Sequence, residues 1–399
     1  MIGGGSGAFI GAVHRRAAEL DGLGSVVAGA LSSTPDRSLA SARAWGLAPD
    51  RSYASWSELL ERESARPAHE RVECVAIVTP NHTHFEIARA ALEKGFHVVL
   101  DKPVTHTSEQ AAELSRLVRE KQRVFAVTYT FAGYPMVQHA ARLVRAGALG
   151  TLRRVYVEFL QGWLANPIEQ PAPGAEPQKQ ADWRTDPARS GPAGTLGDIG
   201  THCEHIAALI TGLGIESLAA DVVTHVPHRK LDDDASVLIK FTGGARGVLS
   251  CSQVCAGEEC AIRIRVYGER GGLEWDHERC NELVVMPLDG PRQIITRAGA
   301  GLGAIAPIGT RLPGGHPEGF HEAFANIYAA ALREIMARRD VDASQRSTSR
   351  HAPLHTATDL SELPPDRMLY PTIDDGLRGV RFIERCLQSR DAGGAWVAF

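Results

Sequence analysis

The first third of the chain alternates short apolar segments with segments of helical periodicity. The apolar segments lie at 25–31, 72–80, 96–103 and 123–130, and the helical ones at 35–45, 53–63, 83–95 and 107–121. Strands separated by helices pair in parallel, because each helix carries the chain back along the sheet before the next strand begins. This part of the chain is therefore expected to fold as parallel βαβ units.

After about residue 130 the strand pattern prevails. Runs with alternating polar and apolar residues lie at 151–161, 218–226, 234–242, 246–254, 260–268 and 282–287. Such alternation is typical of an antiparallel sheet with one face packed and the other free for a partner. Two loops rich in proline and glycine, 164–194 and 298–319, interrupt the sheet, and 339–372 is expected to be a long polar surface loop.

Helices are predicted at 136–150, 319–337 and 374–389. The resulting organisation is an α/β domain over 1–130, an α+β domain over 131–372, and a C-terminal segment, 373–399, whose helix packs back on the core. The first strand of the α/β domain is expected to be truncated.

The composition is that of a soluble globular protein, with 44% hydrophobic and 23% charged residues. A net charge of −4 provides no basic field for nucleic acid or an anionic membrane. The seven cysteines are scattered without CxxC pairs, which indicates reduced thiols and a cytoplasmic protein. The chain shows no apolar run near the ~20 residues of a membrane span, and a secretory leader is not expected from its first residues.

A glycine-rich stretch, MIGGGSGAFIGAVHRR, opens the chain. Its glycines could form the tight turn that brings backbone N–H groups against a pyrophosphate at a helix N-terminus. The stretch departs from GxGxxG, because five residues instead of two separate Gly5 from Gly11. Only Met1 and Ile2 precede the loop, so we expect either that the natural start lies upstream or that the first strand is a stub.

The cofactor contacts predicted from this loop and the following strand ends form one set. They are Gly3, Gly5, Ser6, Gly7, Ala8, Phe9, Ile10, Ser32, Ser33, Arg37, Thr79, Pro80, Asn81, His82, Asp101 and Lys102. Ser32 and Ser33 stand where NAD enzymes usually carry an acidic residue, and Arg37 follows closely. NAD and NADP both stay open, with a preference for NADP; alternatively, these residues form only a helix-entry loop.

The segments VTPNHTHFE (78–86) and LDKPV (100–104) each follow a predicted strand. Ligands of such folds bind at the carboxyl ends of the strands, so Asn81, His82 and Lys102 are candidates for the cleft. Helix capping is the alternative role for His82 and His84, and a solvated turn is the alternative for the Lys-Pro pair.

The segment GTLGDIGTHCEHIAALITG (194–212) places Asp198 and His202 four residues apart. On a helix both would project from one face, where a carboxylate can orient an imidazole as a general base. A metal site at His202, Cys203 and His205 is disfavoured by their spacing, and no metal is predicted. His205 and Cys203 are expected to be structural.

In combination, these motifs resemble the glucose–fructose oxidoreductase/inositol dehydrogenase (Gfo/Idh/MocA) family. The resemblance rests on the glycine loop, on TPNHTHFEIARAALEKGFHVVLDKPVT and DWRTDPARSGPAGTLGDIGTHCEHI, and on HPEGFHEAFANIY and YPTIDDGLRGVRFIE near the end. Asp101-Lys102-Pro103 replaces the usual Glu-Lys-Pro but keeps the lysine.

The resemblance implies a Rossmann domain, then a domain with a large open, mainly antiparallel sheet that serves homo-oligomerisation as a dimer or tetramer. It implies NAD(P)-linked hydride transfer to or from a CH–OH carbon of a sugar, glycoside or inositol-like cyclitol. Lys102, Asp198 and His202 match the family's catalytic residues and also contact substrate. Tyr134, Trp183, Arg184 and His316 lie in segments that line the family's substrate cleft.

Two other functions remain open. A tightly held NAD could support transient oxidation during glycoside cleavage or epimerisation, or the chain could be a non-catalytic dinucleotide-binding sensor. Retention of Lys102, Asp198 and His202 together argues against the sensor, which needs no acid–base group.

Overall fold

The computed structural model describes residues 1–170, 174, 178–300, 302, 309–344 and 368–399. Most of the predicted surface loop at 339–372 and part of the predicted loop at 298–319 lie outside the described residues. No helix in the described part is long and apolar enough to cross a bilayer.

The first sheet is parallel throughout, with strand order β1-β2-β3-β4. Its strands are β1 Ile2–Gly3, β2 Cys74–Val78, β3 His97–Leu100 and β4 Phe125–Val127. The helices of this part are α1 Phe9–Glu19, α2 Pro35–Ala44, α3 Trp56–Ser64, α4 His84–Glu93 and α5 Ser108–Lys121. The predicted Rossmann-type α/β fold is confirmed.

The strand predicted over 25–31 is wrong in its extent. Only isolated bridges remain, joining Ala30 to Ile2 and Gly29 to Ser52. The backbone N–H of Ala30 donates to the carbonyl of Met1 at 3.0 Å, and Gly3 N–H donates to Ala30 O at 2.8 Å. Since β1 is two residues long, it offers a neighbouring segment too few partners to continue a ladder.

The second sheet has nine strands in the order β12-β11-β10-β9-β5-β8-β7-β6-β13. They are β5 Leu152–Leu160, β6 Ile215–Val223, β7 Asp234–Phe241, β8 Arg246–Ser252, β9 Ala261–Gly268, β10 Gly271–Asp276, β11 Glu282–Pro287, β12 Gln293–Thr296 and β13 Val397–Ala398. All neighbours pair antiparallel except β5 and β8, which are parallel. The predicted large, mainly antiparallel sheet is confirmed, although β10, β12 and β13 were not predicted.

The remaining helices cover one face of this sheet or connect it to the first. They are α6 Pro135–Arg145, α7 Lys179–Arg184, α8 Pro187–Ser190, α9 Thr201–Thr211, α10 Phe320–Ser344 and α11 Ile373–Asp391. Helices α7 and α8 lie within the predicted loop 164–194. Helix α10 packs on α1, and α11 contacts both α5 and β6, so the end of the chain bridges the two sheets.

Candidate active site

The lysine of the DKP segment lies directly after β3, at the carboxyl edge of the first sheet. The side chain of Asp101 fixes this loop, because its Oδ1 accepts hydrogen bonds from Lys102 N at 2.9 Å and from Thr128 Oγ1 at 3.0 Å. With the carboxylate of Asp101 engaged locally, the Lys102 side chain extends across to the second domain.

Asp198 lies in a π-helical turn, Leu196–Gly200, that runs directly into α9. The sequence predicted an ordinary helix here; π turns occur frequently at functional sites. Asp232 holds the start of the turn, accepting from Gly194 N at 2.7 Å and from Leu196 N at 2.8 Å. Burial raises the pKa of the Asp232 carboxyl, while these two N–H donors oppose that rise.

Lys102 and Asp198 form a salt bridge with 2.9 Å between Nζ and Oδ1, and the ammonium also donates to the Asp198 backbone carbonyl. Arg184 Nε approaches the same carboxylate at 3.5 Å, and Gln253 Nε2 donates to its Oδ2 at 2.8 Å. Burial alone would raise the pKa of Asp198. The charges of Lys102 and Arg184 and the two hydrogen bonds outweigh burial and hold the pKa far below its usual range.

His202 lies one turn further, 7% exposed and surrounded by aromatic rings. The ring centroids of Tyr129, Phe131 and Phe159 lie 5.6, 5.0 and 6.2 Å from its own. Its Nδ1 is buried and has no hydrogen-bond partner among the described residues. Burial lowers the pKa of His202 well below the usual value; the charge of Lys102 adds to this effect, and Asp198 opposes it.

The carboxylate of Asp198 thus bonds to Lys102, Gln253 and Arg184, whereas the sequence predicted that it orients His202. The described contacts include no hydrogen bond between Asp198 and His202. The two groups interact through space, because the carboxylate charge favours the protonated imidazole. The expected constellation of Lys102, Asp198 and His202 is brought together, but with the carboxylate turned toward the lysine.

The glycine loop packs too tightly for any side chain at its key positions. A Cβ on Gly5 would lie 2.5 Å from Leu31 O, and one on Gly3 would lie 2.7 Å from Val78 O. A Cβ on Gly11 would lie 1.9 Å from Gly4 O. Gly11 therefore allows the close packing of helix and strand that the third glycine of the dinucleotide fingerprint provides, despite its displaced position in the sequence.

The start of α1 has no side-chain cap, whereas two N–H groups of the loop are engaged, since Ser6 N donates to Ser41 Oγ at 3.1 Å and Ala8 N to Gly5 O at 3.0 Å. Ser6 and Gly7 are exposed, and Ala8 is the N-cap residue, without a side-chain cap. Phe9 and Ile10 form the first turn of α1, and Phe9 is 68% exposed. An uncapped helix N-terminus next to a narrow glycine cradle suits a pyrophosphate, so the described residues fit a dinucleotide.

The residues predicted to contact the adenosine ribose follow Leu31, which is buried. Ser32 is half-buried, and its Oγ accepts a hydrogen bond from Thr34 N at 3.2 Å. Ser33 and Arg37 are exposed. No acidic side chain occupies positions 32 or 33.

The segment after β2 connects the two domains. The side chain of Asn81 donates to Ser190 O at 2.9 Å, and Thr79 Oγ1 accepts from Thr83 Oγ1 at 2.7 Å. Pro80 and His82 are exposed. His84 is fully buried, with its ring nitrogens 2.8 and 2.9 Å from the carbonyls of Pro103 and Thr79, so it fastens the two strand ends together.

The predicted substrate-cleft residues are placed differently from one another. Arg184 lies 4.3 Å over the ring of Trp183 and reaches Asp198, so both belong to the cluster. Tyr134 is 2% exposed in the core of the second domain, and its hydroxyl lies 2.9 Å from His277 Nε2. His316 is exposed, and its backbone contacts Arg297 and Pro313, away from the lysine cluster.

Two neighbours of His202 have structural roles, as expected. His205 stacks on Tyr129 with 4.5 Å between ring centroids. Cys203 is fully buried in the core of the second domain.

Sequence reasoning missed two residues that position Asp198: Gln253, which donates to its carboxylate, and Asp232, which holds the backbone at the start of its turn. Gln253 directly follows β8 and is 2% exposed. The acidic run LDDDAS at the start of β7 was a usable signal for Asp232, because consecutive aspartates at a strand entry invite a search for backbone N–H partners. Nothing in the sequence distinguished Gln253 from other strand-end glutamines.

Two family models match the chain, one after the other. The model described as an oxidoreductase family with an NAD-binding Rossmann fold matches residues 1–129. The model of the GFO/IDH/MocA C-terminal domain matches residues 137–274.

Similar proteins match over the full length. The uncharacterized oxidoreductase YfiI of Bacillus subtilis is 32% identical, across 100% of this chain and 96% of the relative. An inositol dehydrogenase homolog from Azotobacter vinelandii complexed with NAD⁺ superposes with a TM-score of 0.89 at 35% identity. The structure of such a homolog from the same organism with NADH and myo-inositol gives 0.87 at 34%; both comparisons cover 100% of this chain and 96% of the other.

Proposed function

Because the chain belongs to the Gfo/Idh/MocA family of NAD-binding oxidoreductases, we propose that it reversibly oxidises one secondary alcohol of a cyclitol or sugar. The observation that carries this proposal is the partly accessible Lys102–Asp198 salt bridge at the carboxyl edge of the parallel sheet, with the imidazole of His202 one turn further along. An ammonium and an imidazole placed together can bind a substrate hydroxyl and take its proton.

His202 is the proton acceptor in this mechanism. Burial and the nearby ammonium favour the neutral imidazole, which can take the proton from the substrate hydroxyl. The carboxylate of Asp198 then stabilises the imidazolium through space. Proton transfer to a positioned base is typically worth ~10²–10⁴-fold in rate.

Lys102 stabilises the negative charge that develops on the substrate oxygen. Its ammonium has three N–H donors, two of which are directed at the carboxylate and the backbone carbonyl of Asp198. The third is left for the substrate oxygen. A donor fixed in advance in a water-poor site stabilises a forming alkoxide without reorganisation.

The glycine loop around Gly3, Gly5 and Gly11 would hold the dinucleotide, with its pyrophosphate at the start of α1. When bound, the nicotinamide supplies the hydride chemistry. Ser32, Ser33 and Arg37 favour a 2′-phosphate and hence NADP, whereas the relatives solved with NAD⁺ and NADH favour NAD. Initial rates with the two cofactors, each at saturating substrate, decide between them.

The cyclitol class is supported by the homolog solved with myo-inositol at 34% identity. Trp183 and Arg184 offer an aromatic face and a cation beside Asp198, groups that suit a polyhydroxylated ring. A homo-oligomer is also proposed, because Leu238 and Ile294 are 51% and 59% exposed on the second sheet. Light scattering after size exclusion measures its order.

The test is a panel of inositols, aldoses and glycosides with NAD⁺ and NADP⁺, followed by the absorbance of reduced nicotinamide. We expect stoichiometric reduction with at least one member and loss of turnover in His202→Ala, with cofactor binding retained. Substrate conversion without net reduction would point to transient oxidation. Cofactor binding without any conversion would point to a sensor.

A further inference from the structure

A chain of side-chain hydrogen bonds runs from the loop after β5 to the carboxylate of Asp198. Trp163 Nε1 donates to Gln161 Oε1 at 3.1 Å, and Gln253 Nε2 donates to the same oxygen at 3.2 Å. Gln253 Nε2 also donates to Asp198 Oδ2 at 2.8 Å. Gln253 is 2% exposed, so water hardly competes for its bonds.

The donor-to-acceptor direction of these hydrogen bonds is fixed at both ends of the series. An indole N–H can only donate, so the atom of Gln161 that meets Trp163 is its carbonyl oxygen. An ionised carboxylate can only accept, so the group of Gln253 that meets Asp198 is its NH₂. The hydroxyl of Thr195 donates to Gln253 Oε1 at 2.9 Å and completes the same orientation.

If Asp198 were protonated, its O–H group would find no hydrogen-bond acceptor in this arrangement. Both N–H groups of the Gln253 amide are used, one by Gln161 and one by Asp198 Oδ2. The other carboxylate oxygen faces the ammonium of Lys102. A protonated Asp198 would therefore direct its O–H at a donor from either oxygen, and unmatched buried donors are costly.

We propose that Gln253 is a positioning residue that directs the carboxylate of Asp198 at Lys102. This inference rests on the proposed function, because the orientation of Asp198 affects turnover only if Lys102 acts on the substrate oxygen. Through Gln161 and Trp163, the same series of hydrogen bonds connects the loop after β5 to the carboxylate of Asp198.

Several other groups interact electrostatically with the carboxylate of Asp198. They are Lys102 in the loop after β3, Arg184 on α7, His202 on α9 and Cys260 before β9. All four remain in place when Gln253 alone is replaced. A change in the carboxyl signal of Asp198 in such a variant is therefore attributable to the lost amide.

The test replaces Gln253 by Met, which keeps the length but removes both donors. The matched control is Gln138→Met, since Gln138 is 1% exposed and its amide donates to the carbonyls of Ala132 and Leu369, outside the cluster. We expect Gln253→Met to lower kcat about tenfold or more, with KM for the cofactor unchanged. A kcat equal to that of Gln138→Met would overturn the proposal.

A second measurement does not depend on turnover. The ¹³C carboxyl chemical shift of Asp198, assigned with Asp198→Asn, is compared at neutral pH in the wild type, in Gln253→Met and in the milder variant Thr195→Val. The proposal predicts a displaced signal in Gln253→Met and a smaller displacement of the same sign in Thr195→Val. An identical chemical shift in all three proteins contradicts it. If Asp198 responds as predicted but the wild type reduces no cofactor, the proposed function fails and the role of Gln253 stands.

Discussion

The ammonium of Lys102 and the carboxylate of Asp198 form a salt bridge of 2.9 Å that joins the two domains. Lys102 follows the third strand of the parallel sheet, and Asp198 lies in the π turn before α9. Their side chains are 14% and 19% exposed, so the pair is shielded but still accessible to a ligand. Removal of Asp198 leaves the Lys102 ammonium without its carboxylate, whereas removal of Lys102 leaves Asp198 with Arg184 as its remaining cation.

Lys102→Met should therefore abolish most of the turnover. We expect kcat to fall by ~10²–10³-fold, because the donor for the developing alkoxide is lost. Binding of reduced cofactor, measured by its fluorescence, should persist. The control is Lys94→Met, which breaks an exposed ion pair with Glu61 at 2.5 Å; it should turn over like the wild type, and an equal loss in both variants would refute the role of Lys102.

The glycine loop makes a prediction about cofactor affinity. In Gly11→Ala the new methyl group would lie 1.9 Å from the carbonyl oxygen of Gly4, so helix α1 must move away from the loop. Overpacking of this kind typically costs ~1–3 kcal/mol, and we expect Kd for NADH or NADPH to rise about tenfold or more. Gly319→Ala is the control, since a Cβ there meets no atom within 4 Å. Equal Kd values for the two variants would show that the loop does not bind the cofactor.

Asp232 is predicted to stabilise both the fold and the π turn. In Asp232→Asn one of the two backbone N–H groups, from Gly194 or Leu196, loses its acceptor. The free energy of unfolding in urea should fall by about 1–3 kcal/mol, and kcat should fall because Asp198 is held less firmly. Asp221→Asn, on the exposed side of β6, should change neither quantity. Unchanged kcat in Asp232→Asn would separate the turn from catalysis.

His205 gives the protein a specific loss of stability in acid. Burial lowers the pKa of His205 to about 4, against about 6.5 in the unfolded chain. The unfolded state thus binds a proton that the folded state does not, and stability falls as the pH drops from about 6.5 to about 4. The total from this group is about 3 kcal/mol.

The check compares urea unfolding of the wild type and His205→Phe, which keeps an aromatic ring against Tyr129. The wild type should lose stability more steeply between pH 6.5 and pH 4, with slopes that differ by about one proton. Parallel curves would mean that His205 is protonated in the folded protein.

The sequence was sufficient for the fold class, because periodicity reports which faces are buried. The alternation of β7 and β8 and the helical spacing of α4 and α5 are local patterns that tertiary structure preserved. The strand prediction for 25–31 was wrong because the pairing of this segment depends on a neighbour, β1, that is only two residues long. A segment forms a β-strand only where a neighbouring strand supplies hydrogen-bond partners along its length.

The residues of the candidate site were predictable from the sequence, but the hydrogen bonds and salt bridges between them were not. Lys102, Asp198 and His202 were recognisable from their motifs, yet the orientation of Asp198 depends on Gln253, which lies 55 residues further along the chain. The displaced Gly11 could be understood only once the backbone of Gly4 was seen against it. Tyr134 shared a motif segment with the cleft, but its ring belongs to the core.

Transfer of deuterium from substrate to cofactor tests the central claim most directly. The best substrate of the panel, deuterated at its ring carbons, is incubated with the enzyme and oxidised cofactor, and the reduced nicotinamide is analysed by mass spectrometry and NMR. Direct hydride transfer predicts one deuterium at C4 of the nicotinamide for each ketone formed. Conversion of the substrate without a deuterated, reduced cofactor in solution would contradict the account.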